Sequence, residues 1–315
     1  MVQPRPTIGF IGAGVTGTAL ASELYRCGYH ISAVYSRSPS SSMRLASRVQ
    51  GCAVHKKPQD VADHASIVFI TTPDDVIEDV ASGLKWHQSQ IVVHCSGVHS
   101  TEILESAHQY GAFTCCLHPL QTFANIEEAI NNISGSTFAL EGDEPAMAAG
   151  RRMAAAMKGT IITLKPGDKV LYHAAAVTLS NYLVTLMKTA AEFWQSFGIP
   201  QDEAVKALLP LLKGTVNNIE RVGIPDCLTG PIARGDVRTV EKHINALRRE
   251  HPELLEVYRV LGLKTLPIAL TKGHIGLETA EEIRELLQPD TTSGADLKGE
   301  LESNPAAGFL YHLPR

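Results

Sequence analysis

Glycines at positions 12, 14 and 17 stand in G-x-G-x-x-G spacing within IGFIGAGVTG, behind an apolar run and ahead of residues suited to a helix from about Val15. Each glycine has a separate task in such a turn. Gly12 permits the tight bend, Gly14 lets a pyrophosphate approach the backbone, and Gly17 lets helix and strand pack closely. Amide groups at the helix start, around Val15 and Thr16, then face the phosphates. Chains of this kind that select NAD hold the ribose hydroxyls with an acidic residue at the end of the second strand. Here that strand runs into ISAVYSRSPSSS, and no Asp or Glu occurs between Glu23 and Asp60. Ser36, Arg37 and Ser38 offer charge-assisted hydrogen bonds to a 2′-phosphate, which a carboxylate would repel. The expectation is NADP(H), with Thr72 and Pro73 of FITTPDDVI closing the pocket. Asp74 reads as a helix cap, and Ser40 to Ser42 as solvated turn residues.

Three other stretches could carry reaction chemistry. VVHCSG and CCLHPLQTF place Ser96, His118 and Pro119 at the ends of neighbouring strands, where they would close a nicotinamide pocket and touch substrate. His94, Cys95, Cys116 and His118 are ligand types, but C-x-H is not a recognised metal spacing, so no metal is expected. YHAAAVTLSN puts His173 seven residues before Ser180 and eight before Asn181, close to two helical turns, so the three share one face. Hydride reduction of a carbonyl or imine needs a proton from a group of near-neutral pKa, which His173 supplies, its place in a helix's first turn favouring the neutral ring. The plain alternative is a core histidine with its hydrogen bonds satisfied. In DCLTGPIARGD, Thr229 lies in a turn and Arg234 either clamps a substrate carboxylate or makes a surface ion pair, while Asp236 caps the next helix.

The elements that must position these groups follow from periodicity. TIGFIG, ISAVYS, ASIVFITT, SQIVVHCS, GAFTCCLH, STFALEG and GTIITL are strand-like runs alternating with helical stretches, which predicts an α/β class with an N-terminal Rossmann doubly wound sheet. After Pro166-Gly167 the texture becomes helical, beginning with a helix of about 28 residues that spans on the order of 40 Å. Helices near Gln201 to Val222, Asp236 to Arg249 and Pro252 to Thr271 complete an all-α C-terminal domain. The expected division is 1–165 for cofactor binding, 166–287 for substrate binding and dimerisation, and 288–315 as a tail rich in Pro, Gly, Ser and acidic residues.

Composition narrows the classes. The 315 residues are 44% hydrophobic and 19% charged with net charge −5, as for an ordinary globular chain. No basic block points to nucleic acid, and no apolar run approaches the roughly 20 residues of a membrane span, so a small-molecule partner is expected. The first strand starts at Thr7, leaving no room for a secretory signal, and six cysteines lack any C-x-x-C pair. Both predict a cytoplasmic protein with reduced thiols.

GFIGAGVTGTAL, SRS, HCSG, LHPLQTF, YHAAAVTLSNYL and LTGPIARGD, in this order, resemble the Rossmann-like oxidoreductases whose C-terminal half is a domain of unknown function. The resemblance spans residues 6 to about 285. More distantly the layout is similar to the 6-phosphogluconate dehydrogenase superfamily, with its 3-hydroxyacid dehydrogenases, ketopantoate reductases and pyrroline-5-carboxylate reductases. It implies substrate between the halves and a homodimer through the helical half. Hydroxyacid dehydrogenases and ketopantoate reductases carry a catalytic lysine near the start of the long helix and an asparagine four residues later. This chain has His173 and Val177 in the corresponding region, with Lys169 before them and Asn181 beyond. The reading that results is an NADP-dependent reductase of a small oxo acid of ketopantoate type, in which His173 protonates, Asn181 and Ser180 orient, and Arg234 holds a carboxylate. The alternatives are an imine reductase of pyrroline-carboxylate type and a non-catalytic NADP-binding sensor.

Overall fold

The structure, a computed structural model, describes residues 6–289. Its chain falls into two compact units, Met1–Leu183 and Val184–Arg315. The first unit runs β1 (Thr7–Ile11), α1 (Val15–Arg26), β2 (His30–Tyr35), α2 (Pro39–Arg48), β3 (Ala53–Val54), α3 (Pro58–His64), β4 (Ile67–Ile70), α4 (Ile77–Ser82), β5 (Ile91–His94), α5 (Glu105–Gln109), β6 (Phe113–Leu120), α6 (Ile126–Ile133), β7 (Thr137–Gly142), α7 (Glu144–Ala156) and β8 (Thr160–Thr163). The strands form one eight-stranded sheet in the order β3-β2-β1-β4-β5-β6-β7-β8. All pairs are parallel except β6 with β7. The seven expected strands are present. The eighth, β3, is two residues long and flanked by polar residues, so alternation could not reveal it.

Side chains alternate across the sheet and feed two cores. Ile8, Phe10, Phe69, Val93, Cys115 and Phe138 pack beneath α1 and α7 on one face, with Phe10 and Phe69 stacked at 5.0 Å. Ile11, Val68, Ile70 and Val92 pack with Val61, Ile77 and Trp86 on the other. Burial on both faces is what a helix-covered parallel sheet requires, and it fixes register, since a one-residue slip would exchange the faces. The carboxyl ends of β1, β4, β5 and β6 are thereby held in one row. The order reverses between β1 and β4, the place where such sheets open a crevice for ligands.

The helix α8 (Lys169–Gln195) follows, and the unit boundary at Leu183 falls inside it. The expected boundary at 165/166 marked the end of the sheet, but the first half of α8 belongs with the sheet unit because Lys169, Tyr172 and His173 lodge there. The helical unit adds α9 (Gln201–Val222), α10 (Pro231–Arg234), α11 (Val237–Glu250), α12 (Pro252–Lys272) and α13 (Leu277–Leu287). Val240, Ile244 and Leu247 of α11, Leu255 and Leu266 of α12, and Ile283 and Leu287 of α13 form its core. Asp236 caps α11, its carboxylate accepting from the Thr239 amide at 3.1 Å, as expected.

Two expectations change here. The turn at 229–231 leads into the short helix α10. The helix α8, with a mean hydropathy of 1.3 over its most apolar window, is by length and composition apolar enough to cross a membrane. Its apolar content is spread over alanines, valines and leucines broken by Thr, Ser and Asn, which is why no continuous run stood out. From residue 290 onward the expected tail lies outside the described residues.

Candidate active site

The cofactor turn takes its shape from steric demands. Gly12 has φ +107°, and a Cβ there would sit 2.6 Å from the backbone of Thr71. At Gly17 a Cβ would meet the Thr71 hydroxyl at 2.3 Å and the Gly12 carbonyl at 2.7 Å. Thr71 itself locks the turn, donating from Oγ1 to the Gly12 carbonyl at 2.8 Å. Gly14 differs: its φ is −74°, open to any residue, and a Cβ would meet nothing within 4 Å. So Gly12 and Gly17 serve the fold, while Gly14 keeps the backbone at the start of α1 bare for an approaching phosphate.

A cleft of about 450 Å³ opens beside this turn, lined by Gly12, Gly14, Ser36, Arg37, Thr72 and Pro73 among others. That size suits a small-molecule or cofactor site. Of the expected cofactor residues, Val15 and Thr16 are half-buried in the first turn of α1, and Ser38 lies at the N-cap of α2 with its hydroxyl 2.9 Å from that of Ser40. Ser41 lines the cleft and Ser42 is buried, so these two are not the solvated turn residues expected; both lie in the first turns of α2. The Thr72 hydroxyl is buried without a hydrogen-bond partner among the described residues. A bare Gly14, an unpaired hydroxyl and the Ser36-Arg37 donors fit a dinucleotide phosphate; the lack of any acidic residue on β2 and its following loop fits a 2′-phosphate.

Next to it, at the ends of β5 and β6, lies a polar cluster. Asp74 does not cap a helix; its Oδ2 accepts from Ser96 Oγ at 2.8 Å. Ser96 Oγ in turn accepts from the amides of Val98 and His99, at 3.2 and 3.1 Å, so the loop after β5 is tied to the loop after β4. His118 Nδ1 is 2.7 Å from the Tyr172 hydroxyl. His118 Nε2 and His173 Nδ1 converge on Gly97, where a Cβ would lie 3.0 and 2.5 Å from them. His173 Nδ1 is buried and has no hydrogen-bond partner among the described residues. Ser96, His118 and His173 are thus brought together, with Tyr172 as a fourth member that the sequence reading passed over.

Lys169, the first residue of α8, is 2% exposed and supplies the cluster's buried charge. Its Nζ donates to the Ser96 carbonyl at 2.6 Å and to Cys116 Sγ at 2.8 Å. Burial and then the Lys169 charge push both His94 and His118 down to about 3, so both rings are neutral at physiological pH. Burial pushes the Cys116 thiol up to about 11 although Lys169 opposes it. The sequence did hold a signal for Lys169. It stands four residues before His173, one turn away, so the two share a helix face, in the lysine-first spacing of the distant relatives with histidine where they have asparagine.

Other expected residues lie apart. His173 falls in the second turn of α8, not the first. Ser180 and Asn181 are exposed, and at 1.5 Å per residue they stand about 10–12 Å further along the helix axis. Thr229 and Arg234, in the helical unit, are exposed. Neither lines that unit's hollow of about 360 Å³ between Phe193, Leu247, His251 and Tyr258. Among the described residues no three His, Cys, Asp or Glu side chains are placed to hold a metal ion.

Comparison with known proteins agrees with this layout. Residues 1–119 match the Rossmann-like domain and residues 136–265 match the domain of unknown function DUF2520. None of the curated proteins compared matches the chain. Among solved structures, TM1727 of Thermotoga maritima is 26% identical with a TM-score of 0.69, covering 84% of this chain and 99% of its own. BF3122 of Bacteroides fragilis, provisionally named an NADP oxidoreductase, is 23% identical at a TM-score of 0.65, covering 83% and 98%. A 1-pyrroline-5-carboxylate reductase of Streptococcus pyogenes shares the fold at 17% identity and a TM-score of 0.56, covering 89% and 98%. The chain therefore joins a Rossmann-like domain to a DUF2520 domain, on the fold of the Rossmann-type oxidoreductases that its motifs resemble.

Proposed function

We propose that the protein is an NADP(H)-dependent reductase of a small imine or carbonyl compound. The observation that carries this reading is the cleft at the β1/β4 switch point, with its bare Gly14 and its Ser36-Arg37 donors, lying beside the histidine cluster at the ends of β5 and β6. Gly14 and the start of α1 hold the pyrophosphate, Ser36 and Arg37 the 2′-phosphate, and Thr72 and Pro73 the nicotinamide end. NADPH, when bound, supplies the hydride. His173 delivers a proton at Nδ1, the one ring nitrogen of the His118/His173 pair that is buried without a partner. His118 contacts substrate through Nε2, with Tyr172 holding its other nitrogen. Ser96, fixed by Asp74, shapes the floor.

The lining of this unit favours an imine over the oxo acid of ketopantoate type. Its one buried ammonium, on Lys169, is spent on the Ser96 carbonyl and Cys116, and the histidine beside it is neutral. With that ammonium engaged, a substrate carboxylate would lack its partner beside the cluster, whereas an imine without a carboxylate needs no such clamp. The imine reductase of Pseudomonas sp. has the same fold, at 16% identity and a TM-score of 0.57, covering 90% of this chain and 92% of its own. The helical unit is also the proposed seat of a homodimer, since Leu211, Val216 and Val222 of α9 are 51–68% exposed.

Paired titrations with NADPH and NADH, followed by NADPH oxidation against cyclic imines and oxo acids, test the reading. NADPH should bind tenfold or more tighter than NADH, and Arg37→Ala should erase that preference. Turnover on imines that His173→Ala abolishes, with NADPH affinity kept, is the expected result. Binding without turnover on any substrate would leave a sensor, and an NADH preference would overturn the phosphate assignment.

A further inference from the structure

The cleft that receives the dinucleotide contains one carboxylate, and it is in an unexpected place for an anion site. Asp79 and Val80 of α4, with Val76 just before the helix and Gly83 just after it, line the cleft. Pro58 and Leu84 complete an apolar patch around it. Tyr35, Ser36 and Arg37, at the end of β2, line the same cleft. The cleft therefore combines two chemistries: donors and a cation from the end of β2 and the glycine turn, and apolar side chains with a single carboxylate from α4 and its surroundings. Among the described residues no hydrogen bond or ion pair engages the exposed Asp79 side chain; only its backbone carbonyl is used, by Ser82 Oγ at 3.2 Å and by the Gly83 amide at 3.0 Å.

A carboxylate facing a ligand that carries several negative phosphates is repulsive unless the ligand offers it a donor there. Adenine combines an apolar face, which Pro58, Val76, Val80 and Leu84 can cover, with an exocyclic amine. We propose that Asp79 accepts a hydrogen bond from the adenine 6-amino group and makes the site selective for adenine over 6-oxo purine dinucleotides. This rests on the NADP(H) reading above and extends it from the phosphate to the base. The 6-oxo analogue replaces the amine by a carbonyl, so that Asp79 would face an acceptor with an acceptor, leaving both unpaired. Asn in place of Asp79 reverses the logic, because its amide can turn either its oxygen to an amine or its NH₂ to a carbonyl.

The test is a set of equilibrium titrations on the full chain, followed by cofactor fluorescence, with NADPH and with its deaminated counterpart, reduced nicotinamide hypoxanthine dinucleotide phosphate. The wild type should bind NADPH about tenfold or more tightly than the hypoxanthine form, the range for a charged hydrogen bond. Asp79→Asn should bring the two within about threefold of each other, mainly by tightening the hypoxanthine form. Arg37→Ala, by contrast, should weaken both dinucleotides equally and keep their ratio. Equal binding of the two by the wild type, or a ratio unchanged in both Asp79→Asn and Asp79→Ala, would overturn the assignment to Asp79. A wild type that binds no NADPH at all would instead sink the underlying cofactor reading, so the two failures are distinguishable.

Discussion

His94, fully buried, and His118, half-buried beside the Lys169 charge, hold neutral rings, and this shapes how the sheet unit responds to acid. An exposed histidine in the unfolded chain takes up a proton near pH 6.5, whereas these two do so only near 3 when folded. Between those values the unfolded state binds more protons, so these two groups erode stability as pH falls through that window and cost nothing above about pH 7. A His94→Gln variant should start less stable yet lose less between pH 7 and 5. Melting temperatures across that range check this; parallel curves for the two proteins would refute it. At this scale the sequence was partly legible. His118, His173 and Ser96 stood out as polar groups in apolar runs and do converge, but Asn181 was read onto the same face without the rise of two turns that separates it. Lys169 and Tyr172 were passed over because a lysine and a tyrosine at a helix start look like surface residues, and only packing shows the amine turned inward.

Among elements, the β1-turn-α1 unit separates folding demands from ligand demands. Gly12→Ala places a methyl against the Thr71 backbone at a left-handed φ and should destabilise by more than about 2 kcal/mol. Gly14→Ala meets no protein atom, so its melting temperature should stay within a degree or two of the wild type while NADPH affinity drops about tenfold or more. Thermal melts paired with cofactor titration separate the two; a Gly14→Ala variant with a clearly lowered melting temperature or a stable Gly12→Ala would contradict this division. The strands were legible because each is a continuous apolar run, and so were α8, α9 and α12, bounded by Gly or Pro. What escaped was small or tertiary: β3, two residues that become a strand only by pairing with β2, the short α10, and α13, whose Ile283 and Leu287 are set against α11 and α12 by the fold.

For the whole chain, two compact units share one uninterrupted helix, and α9 leaves Leu211, Val216 and Val222 exposed. In the proposed homodimer Leu211→Asp and Val222→Asp should convert a dimer to a monomer in sedimentation equilibrium without loss of NADPH affinity, because the cofactor cleft lies wholly in the sheet unit. A wild type that sediments as a monomer would remove the dimer. The buried start of α8 also has a use in protein chemistry. With its ammonium enclosed between the Ser96 carbonyl and the Cys116 sulfur, Lys169 is out of reach of acylating reagents that label exposed amines at once. Its acylation, followed peptide by peptide in a mass spectrometer, becomes a clock for how often the junction of β5, β6 and α8 opens.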